Sequence, residues 1–181
     1  MGKNILMGIT GSIAAYKGAD IANNLTKEGY NVRVILSRGG ARFITPMTLE
    51  TLTKNKVYTD VFEVWDPTVV EHIWLAQSSD LVLVAPASAD IMAKAACGIA
   101  DDLLSTALLA VYPETPKLIA PAMNTVMYDN PVTQRNMATL RELGYGFIEP
   151  REGHLACGTT GRGALAETEL IVETVKKALG D

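Results

Sequence analysis

Leu81-Val82-Leu83-Val84-Ala85 runs straight into Pro86-Ala87-Ser88-Ala89-Asp90, and the reading of this stretch decides the fold. Its first five positions are apolar without alternation, the pattern of a strand buried on both faces. A proline and small polar residues then turn the chain into a helix predicted to reach about Cys97. Toward the N-terminus, Asn4 to Ile9 is another short apolar run, ended by Thr10-Gly11-Ser12. A helical pattern follows from Ile13 to about Glu28, with Gly29 as its stop. Asn31 to Leu36 is strand-like and ends at Ser37; Arg38 to about Leu52 reads as a loop and a helix interrupted by Pro46. Val57 to Trp65 reads as a short strand and loop, and His72 to Ser78 as a short helix. Toward the C-terminus, a helix starts after Asp101-Asp102, whose carboxylates suit a helix N-terminus. Lys117 to Ala120 is a strand, Asn130-Pro131 opens a helix to about Leu143, and Tyr145 to Ile148 is the last short strand. Glu167 to Leu179 closes the chain as an amphipathic helix.

Apolar strands alternating with helices imply right-handed βαβ units. The expected fold is a single doubly wound α/β domain over residues 1–181, Rossmann-like or flavodoxin-like, with a parallel sheet covered by helices on both faces. Ligands of such folds sit beyond the carboxyl ends of the strands. Gly11-Ser12, Ser37, Pro86 to Asp90 and Pro121 to Asn124 all fall there.

Composition supports this reading. The 181 residues are 48% apolar and 20% charged, an ordinary globular balance in a chain long enough to bury a core without disulfides. A formal net charge of −4 with no basic cluster argues against nucleic-acid and membrane-surface partners. No apolar run approaches the roughly 20 residues that span a bilayer, and the N-terminus lacks a signal-peptide cleavage pattern. Cys97 and Cys157 form no CxxC, and His154 near Cys157 does not complete a zinc set, so no metal is expected. The chain is read as cytoplasmic with reduced thiols.

Several segments carry polar groups that packing does not require. Gly11 permits a tight turn, and Ser12 at a helix start offers a hydroxyl to a phosphate, although the same turn serves as a plain strand-to-helix connection. No acidic residue ends the second strand to hold a ribose; Ser37 stands there instead. Around Ser88 and Asp90 small side chains admit a flat ring system, while either residue also suits a helix cap. His72, at a helix start, carries an imidazole, a group suited to act as a base. Asn124, directly after a strand, is a cap residue or a carboxylate-binding amide. Cys97, among alanines, reads as a small core residue, whereas Cys157 lies among Gly153, Gly158, Gly161 and Gly163, a stretch read as too flexible for helix or sheet, where a thiol has chemical rather than packing value.

These segments, with Gly11-Ser12-Ile13-Ala14-Ala15-Tyr16, Phe43-Ile44-Thr45-Pro46, Glu71-His72-Ile73, Gly98 to Ser105 and Leu155-Ala156-Cys157-Gly158, occur in one order and spacing. Together they resemble the homo-oligomeric flavin-containing cysteine decarboxylase family over nearly the whole chain. The resemblance implies an FMN site lined by Gly11, Ser12, Ser37, Phe43, Ser88, Ala89, Asp90 and Ser105. It implies His72 as the base, Asn124 as the holder of the substrate carboxylate beside Met123 and Ala122, and Cys157 as the acid. Where the family often reads Ser-Ala-Asn-Thr, this chain has Ser88-Ala89-Asp90-Ile91.

Loss of CO₂ from a cysteine carboxylate leaves an unstabilised carbanion unless the neighbouring C–S end is first oxidised. The resemblance implies that FMN takes those electrons and returns them after Cys157 supplies a proton, with no metal. The Cys157 thiol favours the branch serving coenzyme A biosynthesis, whose small-molecule substrate is phosphopantothenoylcysteine, over peptidyl-cysteine decarboxylases, which stop at the oxidised enethiol. The resemblance further implies a homotrimer with its active site between subunits and, from the end at Asp181, a form free of any fused synthetase. A peptidyl-cysteine decarboxylase, a flavin prenyltransferase, a non-catalytic FMN-binding regulatory subunit and a flavodoxin-like electron carrier are the alternatives. Arg38, Arg42 and Arg162 are candidates for the substrate phosphate.

Overall fold

Alternate residues of the first strand point to opposite layers, Ile5, Met7 and Ile9 to one and Leu6 to the other, and this sets the architecture. The structure is a computed structural model that describes residues 2–63, 67–154, 158 and 160–180. In chain order its elements are β1 (Asn4–Ile9), α1 (Ala15–Lys27), β2 (Asn31–Leu36), a 3₁₀ turn (Gly40–Arg42), α2 (Pro46–Thr53), β3 (Val57–Tyr58), α3 (Glu71–Gln77), β4 (Leu81–Ala87), α4 (Ala89–Cys97), α5 (Leu103–Ala110) and β5 (Lys117–Pro121). They continue as α6 (Thr125–Asp129), α7 (Pro131–Glu142), β6 (Tyr145–Phe147), β7 (Arg151–His154), β8 (Thr160–Ala164) and α8 (Thr168–Leu179).

Six strands form one sheet in the order β3-β2-β1-β4-β5-β6, every neighbouring pair parallel. This is the expected doubly wound arrangement. One face is covered by α1, α2 and α8, the other by α3, α4, α5 and α7. The strand order reverses between β1 and β4, so their carboxyl ends open the crevice where such folds bind ligands.

Three expectations are corrected. Pro46 opens α2 rather than interrupting it: Thr45 is the cap, its Oγ1 accepting from Thr48 N at 3.4 Å, and a proline at the first helical position loses no hydrogen bond. Cys97 is exposed at the end of α4, not a core residue, because the helix runs out of the buried layer before reaching it. The glycine-rich stretch from Gly153 to Gly163 is not without sheet structure, since β7 and β8 pair antiparallel, and Tyr145–Phe147 is therefore not the last strand. The short helix α6 was also not foreseen. Among the described residues no helix is long and apolar enough to cross a membrane.

Candidate functional site

The loops that follow β1 and β4 are tied together by one buried side chain. Thr10 Oγ1 donates to Pro86 O at 2.7 Å and accepts from Ser88 N at 2.9 Å, while Thr10 N reaches Pro86 O at 3.3 Å. Thr10 is thereby the bolt across the switch point. Thr10→Val keeps the shape and strips Ser88 N of its partner, so the urea midpoint should fall by the equivalent of about 1–3 kcal/mol. A variant as stable as the parent would remove this role.

Above the bolt lies a cavity of about 560 Å³, in the range of small-ligand and cofactor sites. Gly11, Ser12, Ser88 and Ala89 line it from the β1 and β4 loops, and Ala122, Met123 and Asn124 from the end of β5. Small residues keep it open. Gly11 has no room for more, since a Cβ there would stand 3.1 Å from Gly39 Cα. Ser12 Oγ accepts from Ala14 N at 3.2 Å in the turn before α1, and Ser88 caps α4 by accepting from Ile91 N at 3.3 Å, so both hydroxyls are oriented by local backbone donors. Asn124 caps α6: its Oδ1 accepts from Val126 N at 2.8 Å and Met127 N at 3.4 Å, which fixes the amide plane on the cavity wall.

The roof is the β7–β8 hairpin, docked by backbone. Met123 N donates to Gly163 O at 2.9 Å, and Gly163, at φ +142°, leaves so little space that a Cβ would lie 2.2 Å from Met123 O. An ionic cluster holds the hairpin from outside. Glu149 accepts from Tyr128 Oη, from Arg141 on α7 and from Arg162 on β8, each at 2.8 Å. Burial works to raise the Glu149 carboxyl, but the Tyr128 hydrogen bond and the two guanidinium groups outweigh it and hold it below the usual range. Burial and the same carboxylate push the Tyr128 phenol up to about 12.

The other sequence-selected residues lie off this cavity. Ser37, half-buried at the end of β2, accepts on its Oγ from Gly40 N at 3.1 Å, and Phe43 is exposed on the same loop. Its neighbour Gly39 abuts Gly11, so this loop borders the cavity without lining it. Asp90 is exposed, 3.6 Å from Lys94 Nζ, which also meets Asp101 at 2.8 Å and Asp102 at 2.7 Å. Hydrogen bonds that the Lys94 ammonium donates to Asp101 and Asp102 hold it above the usual lysine range. Ser105 is buried in a capping box with Asp102 at the start of α5. His72 is half-buried in the first turn of α3. That helix leads back into β4, so its N-terminus lies at the carboxyl end of the sheet, outside the cavity. Cys157 lies outside the described residues. Lys17 and Arg151 line the cavity and were not singled out; Lys17 could have been found from its place one turn beyond Ser12. Among the described residues no cluster of three His, Cys, Asp or Glu could hold a metal.

The family model described as Flavoprotein matches residues 1–180. The chain belongs to the flavoprotein family. Within that family it is 48% identical over 179 residues to a probable phosphopantothenoylcysteine decarboxylase of Streptococcus mutans serotype c (strain ATCC 700610 / UA159), covering 99% of this chain and 100% of the relative. It is 46% identical over 175 residues to the coenzyme A biosynthesis bifunctional protein CoaBC of Bacillus subtilis (strain 168), covering 97% of this chain and 43% of that one. Among solved flavoprotein structures, a cysteine-to-serine variant of PPC decarboxylase complexed with pantothenoylaminoethenethiol superposes with a TM-score of 0.90 at 32% identity, covering all of both chains. The FMN-dependent cysteine decarboxylase SpaF superposes with a TM-score of 0.84 at 31% identity, covering 98% of this chain and 95% of that one.

Proposed function

We propose that the cavity takes FMN and that the protein decarboxylates 4′-phospho-N-pantothenoyl-L-cysteine to 4′-phosphopantetheine in coenzyme A biosynthesis. The observation that carries this reading is Asn124. Its amide is held by its own helix on the wall of a flavin-sized cavity, beside Gly11 and Ser88, in a chain 48% identical to a full-length probable phosphopantothenoylcysteine decarboxylase.

The residues present fit the cofactor. A cavity of about 560 Å³, floored by Gly11, Ala89 and Ala122 and edged by the Ser12 and Ser88 hydroxyls, suits a flat ring with a phosphate tail at the Gly11-Ser12 turn that precedes α1. Gly11, Ser12, Ser88 and Ala89 would hold it, with Ser37 and Phe43 extending the site along the β2 loop. Asp90 and Ser105 act behind it, and their place at the flavin is carried by the resemblance alone. When bound there, FMN supplies a two-electron oxidation and the return of the same electrons.

The chain's own residues do the rest. With Oδ1 engaged by α6, the Asn124 NH₂ group is the end that donates to a substrate carboxylate, and Ala122 and Met123 shape the wall against which the cysteine moiety lies. His72, off the chain's own cavity, takes a proton at a site shared with the neighbouring subunit of a trimer. Cys157, carried between β7 and β8, gives the proton that completes the product.

Anaerobic incubation of the purified protein with 4′-phosphopantothenoylcysteine, following visible absorbance and product mass together, tests the reading. A yellow protein that releases CO₂ and forms phosphopantetheine is the expected result. A yellow protein without turnover moves the activity to a peptidyl substrate, and a colourless protein that FMN cannot reconstitute overturns the proposal.

A further inference from the structure

The cavity carries two cations that share one carboxylate. Lys17, in the first turn of α1, and Arg151, at the start of β7, both line it. Arg151 Nε lies 3.0 Å from Glu167 Oε1 and Lys17 Nζ 4.0 Å from Glu167 Oε2. One acidic group thus stands between two basic ones at the cavity edge and leaves a net positive charge there. Glu167 is itself largely exposed and is tied to no backbone donor as a cap, so it is the partner that a stronger anion displaces. The three arginines open to consideration from sequence are placed otherwise: Arg38 and Arg42 are exposed off the cavity, and Arg162 is paired with Glu149 at 2.8 Å.

Resting on the reading that the substrate is phosphopantothenoylcysteine, we infer that Lys17 and Arg151 form the subsite for the substrate's phosphate, with Glu167 as its placeholder. A phosphate monoester carries close to two negative charges at neutral pH and three acceptor oxygens. It matches the Arg151 fork and the Lys17 point charge better than one carboxylate does. The two cations come from different elements, α1 of the sheet layer and the hairpin roof, so occupation of the subsite also draws the roof onto the cavity. This makes the phosphate a specificity handle remote from the bonds that change.

The test is the preference ratio, kcat/KM on 4′-phosphopantothenoylcysteine divided by kcat/KM on pantothenoylcysteine, measured on FMN-loaded protein with flavin content checked by absorbance. Arg151→Gln and Lys17→Gln should each lower the ratio by about tenfold, the worth of one charge-assisted contact. Arg151→Lys should recover part of it, and Glu167→Gln, which removes the competing carboxylate, should raise it. A loss of flavin on Arg151→Gln with an unchanged ratio would show that the cations serve the FMN phosphate and would overturn the inference. So would a loss falling equally on both substrates, the signature of a merely structural pair. Parent protein that turns over neither substrate would instead remove the proposed function, and turnover of both with no response to Arg151 would remove the subsite alone.

Discussion

Asn124→Asp is expected to leave the fold and the flavin in place while lowering kcat/KM on a carboxylate substrate by at least about a hundredfold. Aspartate caps a helix as well as asparagine does, so the bonds from Val126 N at 2.8 Å and Met127 N at 3.4 Å survive and α6 is retained. What changes is the other half of the side chain. An NH₂ donor becomes a carboxylate oxygen, and a favourable contact with the substrate carboxylate becomes a like-charge repulsion at contact distance. Thermal denaturation and flavin absorbance should match the parent, and the loss should appear in the kinetics alone. Asn124→Ala would not discriminate, because it removes the cap and the donor together. An Asp variant with parental kinetics would exclude the amide from carboxylate binding.

Gly163→Ala carries the largest expected effect on structure. At φ +142° the residue lies outside the backbone region open to side chains, and an added Cβ would sit 2.2 Å from Met123 O. Neither neighbour yields cheaply: both are backbone, and Met123 N is hydrogen-bonded to Gly163 O at 2.9 Å. Backbone strain and overpacking together should cost about 2–4 kcal/mol. Part of that cost is avoided if the hairpin lifts from Met123, which takes Arg151, Gly163 and Ala164 off the cavity wall. The variant should therefore lose turnover more steeply than stability, read by urea denaturation alongside the decarboxylation assay. Stability within about 0.5 kcal/mol of the parent, the span of ordinary surface changes, together with full turnover would show that the hairpin does not depend on this contact.

The alternation of strands and helices, and with it the parallel doubly wound sheet, was legible in the chain because periodicity and capping act between residues a few positions apart. Leu81 to Ala85 declares its burial by composition alone. Asp102 and Ser88 cap the helices they precede. Once the strands are parallel, Gly11-Ser12, Ser88-Ala89 and Ala122 to Asn124 must share one end of the sheet, and the cavity is found there. The roof was not legible in the same way. Glycines at 153, 161 and 163 give β7 and β8 no side-chain alternation, and their pairing is selected by the backbone of Met123 and by the Glu149 cluster, contacts between segments distant in the chain. Lys17 and Arg151 meet on Glu167 for the same reason: three charges with no local relation are brought together only when α1, the hairpin and the start of α8 pack at one edge. Local order was set by the sequence alone, because its signals are short-ranged; which polar groups face one another was decided by tertiary packing, because distance along the chain carries no record of distance in space.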